Sequence, residues 1–145
     1  MQKVTPFLWF DTHAEEAAKF YCSLFKNSRI LHVSPMVVSF ELEGQQYMAL
    51  NGGPRFKFTE AISFLINCND QAEVDHFWYK LLADGGEESM CGWLKDKYGL
   101  WWQVIPTALG ELMSSPDQAR AQRVMQAMLK MRKIDVAKLQ EAYNG

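Results

Sequence analysis

The sequence predicts an α+β fold: two tandem βαβββ modules forming a curved mixed sheet with helices on its outer face, followed by C-terminal helices. Three observations carry the prediction. A short apolar run, a helix-start signal and an apolar stripe at helical spacing occur twice, each set closed by a hairpin pattern. A shift of 57 residues lays 4–10 on 61–67 and Phe20-Tyr21-x-x-Leu24-Phe25 on Phe77-Trp78-x-x-Leu81-Leu82, and a shift of 55 lays Gly44 on Gly99. After Pro106 the pattern turns helical. Each module is too small to bury its own sheet face, so the two are expected to act as a pair. Residues 1–106 thus hold the paired modules, about 4–54 and 61–106, and 107–145 a helical extension of the same domain.

Each element has its own local reason. Residues 4–10 are apolar on both faces apart from Thr5 and Pro6, as in a strand covered on both sides. Thr12-His13-Ala14-Glu15 has capping-box spacing, and Ala14, Ala17, Ala18, Tyr21, Leu24 and Phe25 follow at helical intervals. Strands are expected at 29–34, 37–42 and 46–50, the last two joined by Glu43-Gly44-Gln45 and closed by Asn51-Gly52-Gly53-Pro54. In the second module 61–67 is the strand, and Asp70-Gln71-Ala72-Glu73 repeats the capping spacing. The stripe Val74, Phe77, Trp78, Leu81, Leu82 stops at Gly85-Gly86. Ser115-Pro116-Asp117-Gln118 reads as a helix start with serine at the cap, ahead of Ala121, Val124, Met125 and Met128; a short helix spans 135–143.

Composition narrows the functional classes. A chain of 145 residues buries roughly 70% of its unfolded surface, enough for a core without staples. A formal charge of -2 gives no pull toward nucleic acid or membrane. Arg120, Arg123, Lys130, Arg132, Lys133 and Lys138 make the tail locally basic, but their helical interleaving with apolar positions marks a solvated face. Cys22, Cys68 and Cys91 are odd in number and lack Cys-x-x-Cys spacing, which argues against a disulfide framework and a zinc site and suits a reducing cytoplasm. No apolar stretch approaches the roughly 18 residues of a spanning helix, and the N-terminus lacks signal-peptide layout. Aromatic content of 13% suits a filled core and a pocket or dimer surface.

The densest feature is 91–106, read as a hairpin about an Asp-Lys-Tyr-Gly turn. Alternation puts Trp101, Gln103 and Ile105 on one face of its second strand, so one amide stands in an apolar row. Gln103 is either satisfied by neighbouring strands or presented to a ligand. On the repeat register Pro6, Leu8, Phe10, Met48, Leu50, Ser63, Leu65, Asn67, Trp101, Gln103 and Ile105 share the concave face. The ligand-binding candidates are Asn51, Ser63, Asn67, Trp101 and Gln103, the indole for stacking and the polar groups for hydrogen bonds.

Three segments carry a family resemblance: Trp-Phe-Asp-x-x-Ala-Glu-Glu-Ala-x-x-Phe-Tyr at 9–21, Leu-Asn-Gly-Gly-Pro at 50–54, and Gly-Trp-Leu-Lys-Asp-Lys-Tyr-Gly-Leu-x-Trp-Gln at 92–103. With the repeat, they resemble the vicinal oxygen chelate (glyoxalase/bleomycin-resistance/dioxygenase) superfamily. Within it they look like the PhnB-like branch labelled 3-demethylubiquinone 3-methyltransferase. The resemblance implies the fold, a cytoplasmic setting and a homodimer with a small-molecule site. Ser34-Pro35-Met36 is shorter than the family's usual loop.

Metal-using members of the superfamily place four ligands, mostly His and Glu, at positions that carry over approximately to Pro6, Met48, Ser63 and Gln103. Proline, thioether and hydroxyl are poor donors, so no metal and no cofactor is expected. His13, His32 and His76 form no ligand pair in sequence, and Cys91 near the hairpin reads as a structural thiol. Neither Gly52-Gly53-Pro54 nor Gly85-Gly86 has the strand-turn-helix setting of an S-adenosylmethionine site. Two alternatives stand beside metal-free small-molecule binding. One is a metal-dependent lyase or dioxygenase using Glu41, Glu43 or Glu60 with a histidine; the other is a dimeric interaction protein without a pocket.

Overall fold

The computed structural model describes residues 2–145, which divide between Phe58 and Thr59 into two compact units. The first unit runs β1 (Phe7–Phe10), α1 (Ala14–Leu24), β2 (Arg29–Val33), β3 (Val37–Leu42) and β4 (Gln45–Asn51). Its four-stranded sheet has the order β1-β4-β3-β2, with β1 parallel to β4 and the other pairs antiparallel. The second unit repeats this with β5 (Phe64–Cys68), α2 (Gln71–Leu82), β6 (Glu87–Glu88), β7 (Trp93–Lys95) and β8 (Trp101–Pro106), in the order β5-β8-β7-β6. Helices α3 (Thr107–Met113), α4 (Gln118–Met128) and α5 (Val136–Asn144) complete it. The expected pair of βαβββ modules with C-terminal helices is what the chain forms, as two mixed sheets.

The strand faces correct one expectation. In the first sheet Leu8 pairs with Ala49 and Ala49 with Val38, and all three are buried on the α1 side together with Phe10 and Phe40. The other face carries Phe7, Met48, Ser39 and His32 in one row, and Trp9, Leu50 and Val37 in the next. Met48 and Leu50 therefore do not share a face with Pro6, Leu8 and Phe10. The cause is one residue. Three residues join β1 to α1, but two join β5 to α2. The helices superpose at a shift of 57, matching buried Tyr21 with Trp78, whereas the first strands superpose at 58, matching buried Phe10 with Cys68 and Leu8 with Ile66. A one-residue slip exchanges the faces of a strand.

Helix starts were half legible. Asp70 caps α2, accepting from Glu73 N at 2.9 Å, while the Glu73 carboxylate accepts from Asn69 N at 2.6 Å. At α1 the Thr12 capping box does not form; His13 is the cap residue and makes no side-chain cap bond. Asn51 supplies the acceptor from β4, taking the Ala14 N–H on Oδ1 at 2.8 Å and donating from Nδ2 to Pro35 O at 3.1 Å. The short 34–36 connection is a closed turn, with Ser34 N donating to Val37 O at 2.9 Å. Asp117, rather than Ser115, caps α4, accepting from Arg120 N at 3.2 Å; Ser115 Oγ accepts from Asp117 N and meets the Tyr143 hydroxyl at 3.0 Å.

The C-terminal helices bury Leu109, Val124, Ile134 and Leu139 as a second core. Four of the six cations noted above bind the protein's own acceptors. Arg123 donates to Ala142 O and Tyr143 O, Arg120 meets Asp117, Arg132 meets Glu88 and Lys133 meets Asp75. Lys133 Nζ lies 2.6 Å from Asp75 Oδ1 and 3.2 Å from the Tyr79 hydroxyl, tying the segment before α5 to α2. The bond from Lys133, then that from Gln71, holds the Asp75 carboxyl below its ordinary range. A depressed carboxyl contributes stability above its unfolded pKa, and that contribution is lost as pH falls through the folded value. Because Asp75 is 41% exposed, the pair is worth under about 1 kcal/mol. Lys133→Met is therefore expected to lower stability slightly at pH 7, with the difference from wild type shrinking in urea titrations as pH falls below the ordinary carboxylate range.

Candidate functional site on the second sheet

The face of the second sheet opposite the buried side carries the candidate residues. Pairing sets them in rows: Leu65, Gln103 and Trp93 lie side by side, as do Trp101, Lys95 and Glu87, with Asn67 beside Ile105. The reverse face is core, with Leu94, Trp102, Val104 and Ile66 all buried. The expectation that Ser63, Leu65, Asn67, Trp101, Gln103 and Ile105 share a face therefore holds within this unit. Gln103 Nε2 donates to Ser63 Oγ at 2.9 Å, so the amide is partly satisfied by a neighbouring segment. Leu65 is 49% and Ile62 59% exposed, an unusual display for residues of their size.

A buried carboxylate holds this register. Asp96 is 1% exposed and accepts from Tyr98 N at 2.8 Å, Leu100 N at 3.1 Å and Trp102 Nε1 at 2.9 Å. With Gly99 at φ 89°, a left-handed position that suits glycine, these bonds close the turn and place Trp93 opposite Gln103. Sequence reasoning read this aspartate only as turn punctuation. The short Asp-x-x-Gly spacing was the available signal.

The corresponding face of the first sheet differs. Met48 stands where Gln103 does, and Thr5 precedes β1 as Ser63 precedes β5 at the strand shift of 58. Trp9 donates from its indole to Gly53 O at 2.9 Å and lies over Gly52, where a Cβ would come within 2.3 Å of the ring. Phe56 meets Trp9 edge-on at 4.8 Å. Asn51, the fifth candidate, lies in this unit with its amide engaged on α1 and the 34–36 turn.

The superfamily metal chemistry does not fit these donors. With the corrected strand register the four positions become Thr5, Met48, Ser63 and Gln103, a set without imidazole or carboxylate. Among the described residues no group of three or more His, Cys, Asp or Glu side chains is placed to hold an ion. Glu41 reaches Arg29 at 3.8 Å, Glu43 occupies the β3–β4 turn at φ 49°, and Glu60 is exposed. Gly52-Gly53 follows β4 and Gly85-Gly86 follows α2; neither leads from a strand into a helix.

The cysteines are free. Burial, then Glu73 and Asp70, push the Cys68 thiol up to about 12 against an opposing backbone bond, and burial raises Cys22. Cys68 is expected to resist a thiol reagent at pH 8 in the native protein and to react fully in urea; native labelling of Cys68 as fast as Cys91 would contradict its burial. Cys91, half-buried at φ 60°, donates its backbone N–H to Met131 O at 2.7 Å.

Two mixed four-stranded sheets, each from a βαβββ unit, define a glyoxalase-type fold. Solved structures of a glyoxalase-related enzyme from Fulvimarina pelagi (13% identity, TM-score 0.50, 72% of this chain and 88% of that one) and a glyoxalase/bleomycin resistance protein from Albidiferax ferrireducens (16%, 0.50, 70% and 96%) share it. A PhnB protein from Bacillus cereus is 35% identical over 72% of this chain and 99% of its own, with a TM-score of 0.68. The chain belongs to the 3-demethylubiquinone-9 3-methyltransferase (PhnB-like) family, whose model matches residues 2–105. No curated protein matches it. The helices after Pro106 lie beyond the family match. No helix of the described residues is long and apolar enough to cross a membrane.

Proposed function

We propose that this chain binds a small molecule on the open face of its second sheet and needs no metal ion to do so. One observation carries the reading. The amide and hydroxyl pair Gln103 and Ser63 stands beside Trp93, Trp101 and exposed Leu65, while the repeat-related positions are Met48 and Thr5. An amide required only by the fold would be expected in both units. Aromatic surface with a few placed polar groups is the composition of a ligand site. Asn67 lies at the same face and belongs to the proposed site.

The test is Gln103→Ala in thermal-shift titrations against a metabolite panel. Loss of a ligand response at a melting temperature near wild type supports the site. Lowered stability with every response retained makes Gln103 a scaffold residue. The reading includes a cytoplasmic homodimer, supported by three free cysteines and by exposed Phe7, Met36 and Phe56 in the first unit. Native mass spectrometry reads subunit number and any retained organic mass, and a metal held in each subunit would favour lyase or dioxygenase chemistry instead.

A further inference from the structure

The five tryptophans fall into two groups by what their indole N–H groups do. Trp9 donates to Gly53 O at 2.9 Å, Trp78 to Glu88 Oε1 at 3.4 Å and Trp102 to Asp96 Oδ2 at 2.9 Å. Trp93 and Trp101 have no side-chain acceptor or ring partner among the described residues, although both are half-buried. Buried indoles usually find a partner, and these two, partly buried, find none among the described residues. These two stand on one face, one opposite Gln103 and the other two residues before it.

The neighbouring polar groups lean the same way. Gln103 uses one amide hydrogen on Ser63 and keeps a second; Ser63 accepts that bond and keeps its own hydroxyl hydrogen. Four donors are thus available against the Gln103 carbonyl as the main acceptor. Lys95 and Glu87, beside Trp101, pair at 3.0 Å and leave the surface electrically balanced.

Resting on the binding reading above, we infer that the ligand is a flat, uncharged ring compound carrying a carbonyl-type acceptor oxygen. Its ring lies against the indoles, and its oxygen accepts from Trp93, Trp101, Gln103 or Ser63. A cation could use the indole faces but would leave the donors unanswered.

The experiment uses the full chain labelled with nitrogen-15, following the five indole N–H signals, assigned by single Trp→Phe variants. Three probes of similar shape are titrated: coumarin with its carbonyl, 1,2-dihydronaphthalene without an acceptor, and the cation N-methylquinolinium. Coumarin is expected to move the Trp93 and Trp101 signals while those of Trp9, Trp78 and Trp102 stay, and to bind about tenfold more tightly than dihydronaphthalene. Trp101→Phe keeps a ring and removes a donor, so it should weaken coumarin and leave dihydronaphthalene unchanged. If dihydronaphthalene or the cation binds as well as coumarin at these two indoles, the acceptor class is overturned and the site survives. If no probe moves either signal, or all five move together, both readings fail.

Discussion

Asp96→Ala is expected to lose about 3–5 kcal/mol of stability, the largest effect of any single substitution outside the hydrophobic core. The carboxylate is buried and answers the Trp102 indole and two backbone N–H groups within one turn. Alanine would strand the buried Leu100 N–H and Trp102 indole donors and leave the half-buried Tyr98 N–H without its acceptor. Asp96→Asn should cost less, because an amide oxygen can still accept part of the set while its NH2 faces donors. Urea denaturation measures both, and Trp102→Phe in a double-mutant cycle should show coupling of about 1–3 kcal/mol. A loss below about 1 kcal/mol for alanine would mean that the turn closes without the carboxylate. Because this turn sets Trp93 opposite Gln103, the same variant should disturb the Trp93 and Trp101 indole signals in any fraction that stays folded.

Ile134→Ala is expected to cost about 2–5 kcal/mol and Ile134→Val about 1 kcal/mol. Ile134 is fully buried with Leu109, Val124 and Leu139, and its carbonyl accepts from Gln71 Nε2 at 3.0 Å. The segment just before it holds the hairpin: Cys91 N donates to Met131 O and Gly92 N to Arg132 O at 2.8 Å. Gly92, at φ 83°, has Ile105 Cδ1 and Val104 O where a Cβ would stand at 2.9 Å, so the chain leaves no room to adjust there. Hydrogen exchange at Cys91 and Gly92 should quicken in Ile134→Ala. Unchanged protection would show that the second core and the hairpin open independently.

The candidate face was legible in part for a physical reason. Trp101, Gln103 and Ile105 alternate along one strand, and alternation is a local property that tertiary structure does not alter. Ser63 joined them because parallel pairing of β5 with β8 kept the inferred parity. Asn51 was chosen as a polar residue closing a strand, but its amide serves the first turn of α1, a contact 37 residues away in sequence. The Thr12 capping box did not form either: His13 takes the cap position, and the acceptor at the helix start, on the Ala14 N–H, comes from the distant Asn51.

The sequence by itself determined the repeat, the order of elements, the α2 cap and the helical tail, because periodicity, capping spacing and turn residues act over a few positions. Tertiary structure alone decided which face each first strand presents. A linker shorter by one residue keeps the helices in register while slipping the strands, and side-chain alternation converts that slip into an exchange of faces. It also decided which indoles keep a free donor, since Gly53, Glu88 and Asp96 are brought to three of the five tryptophans by folding and none is brought to Trp93 or Trp101.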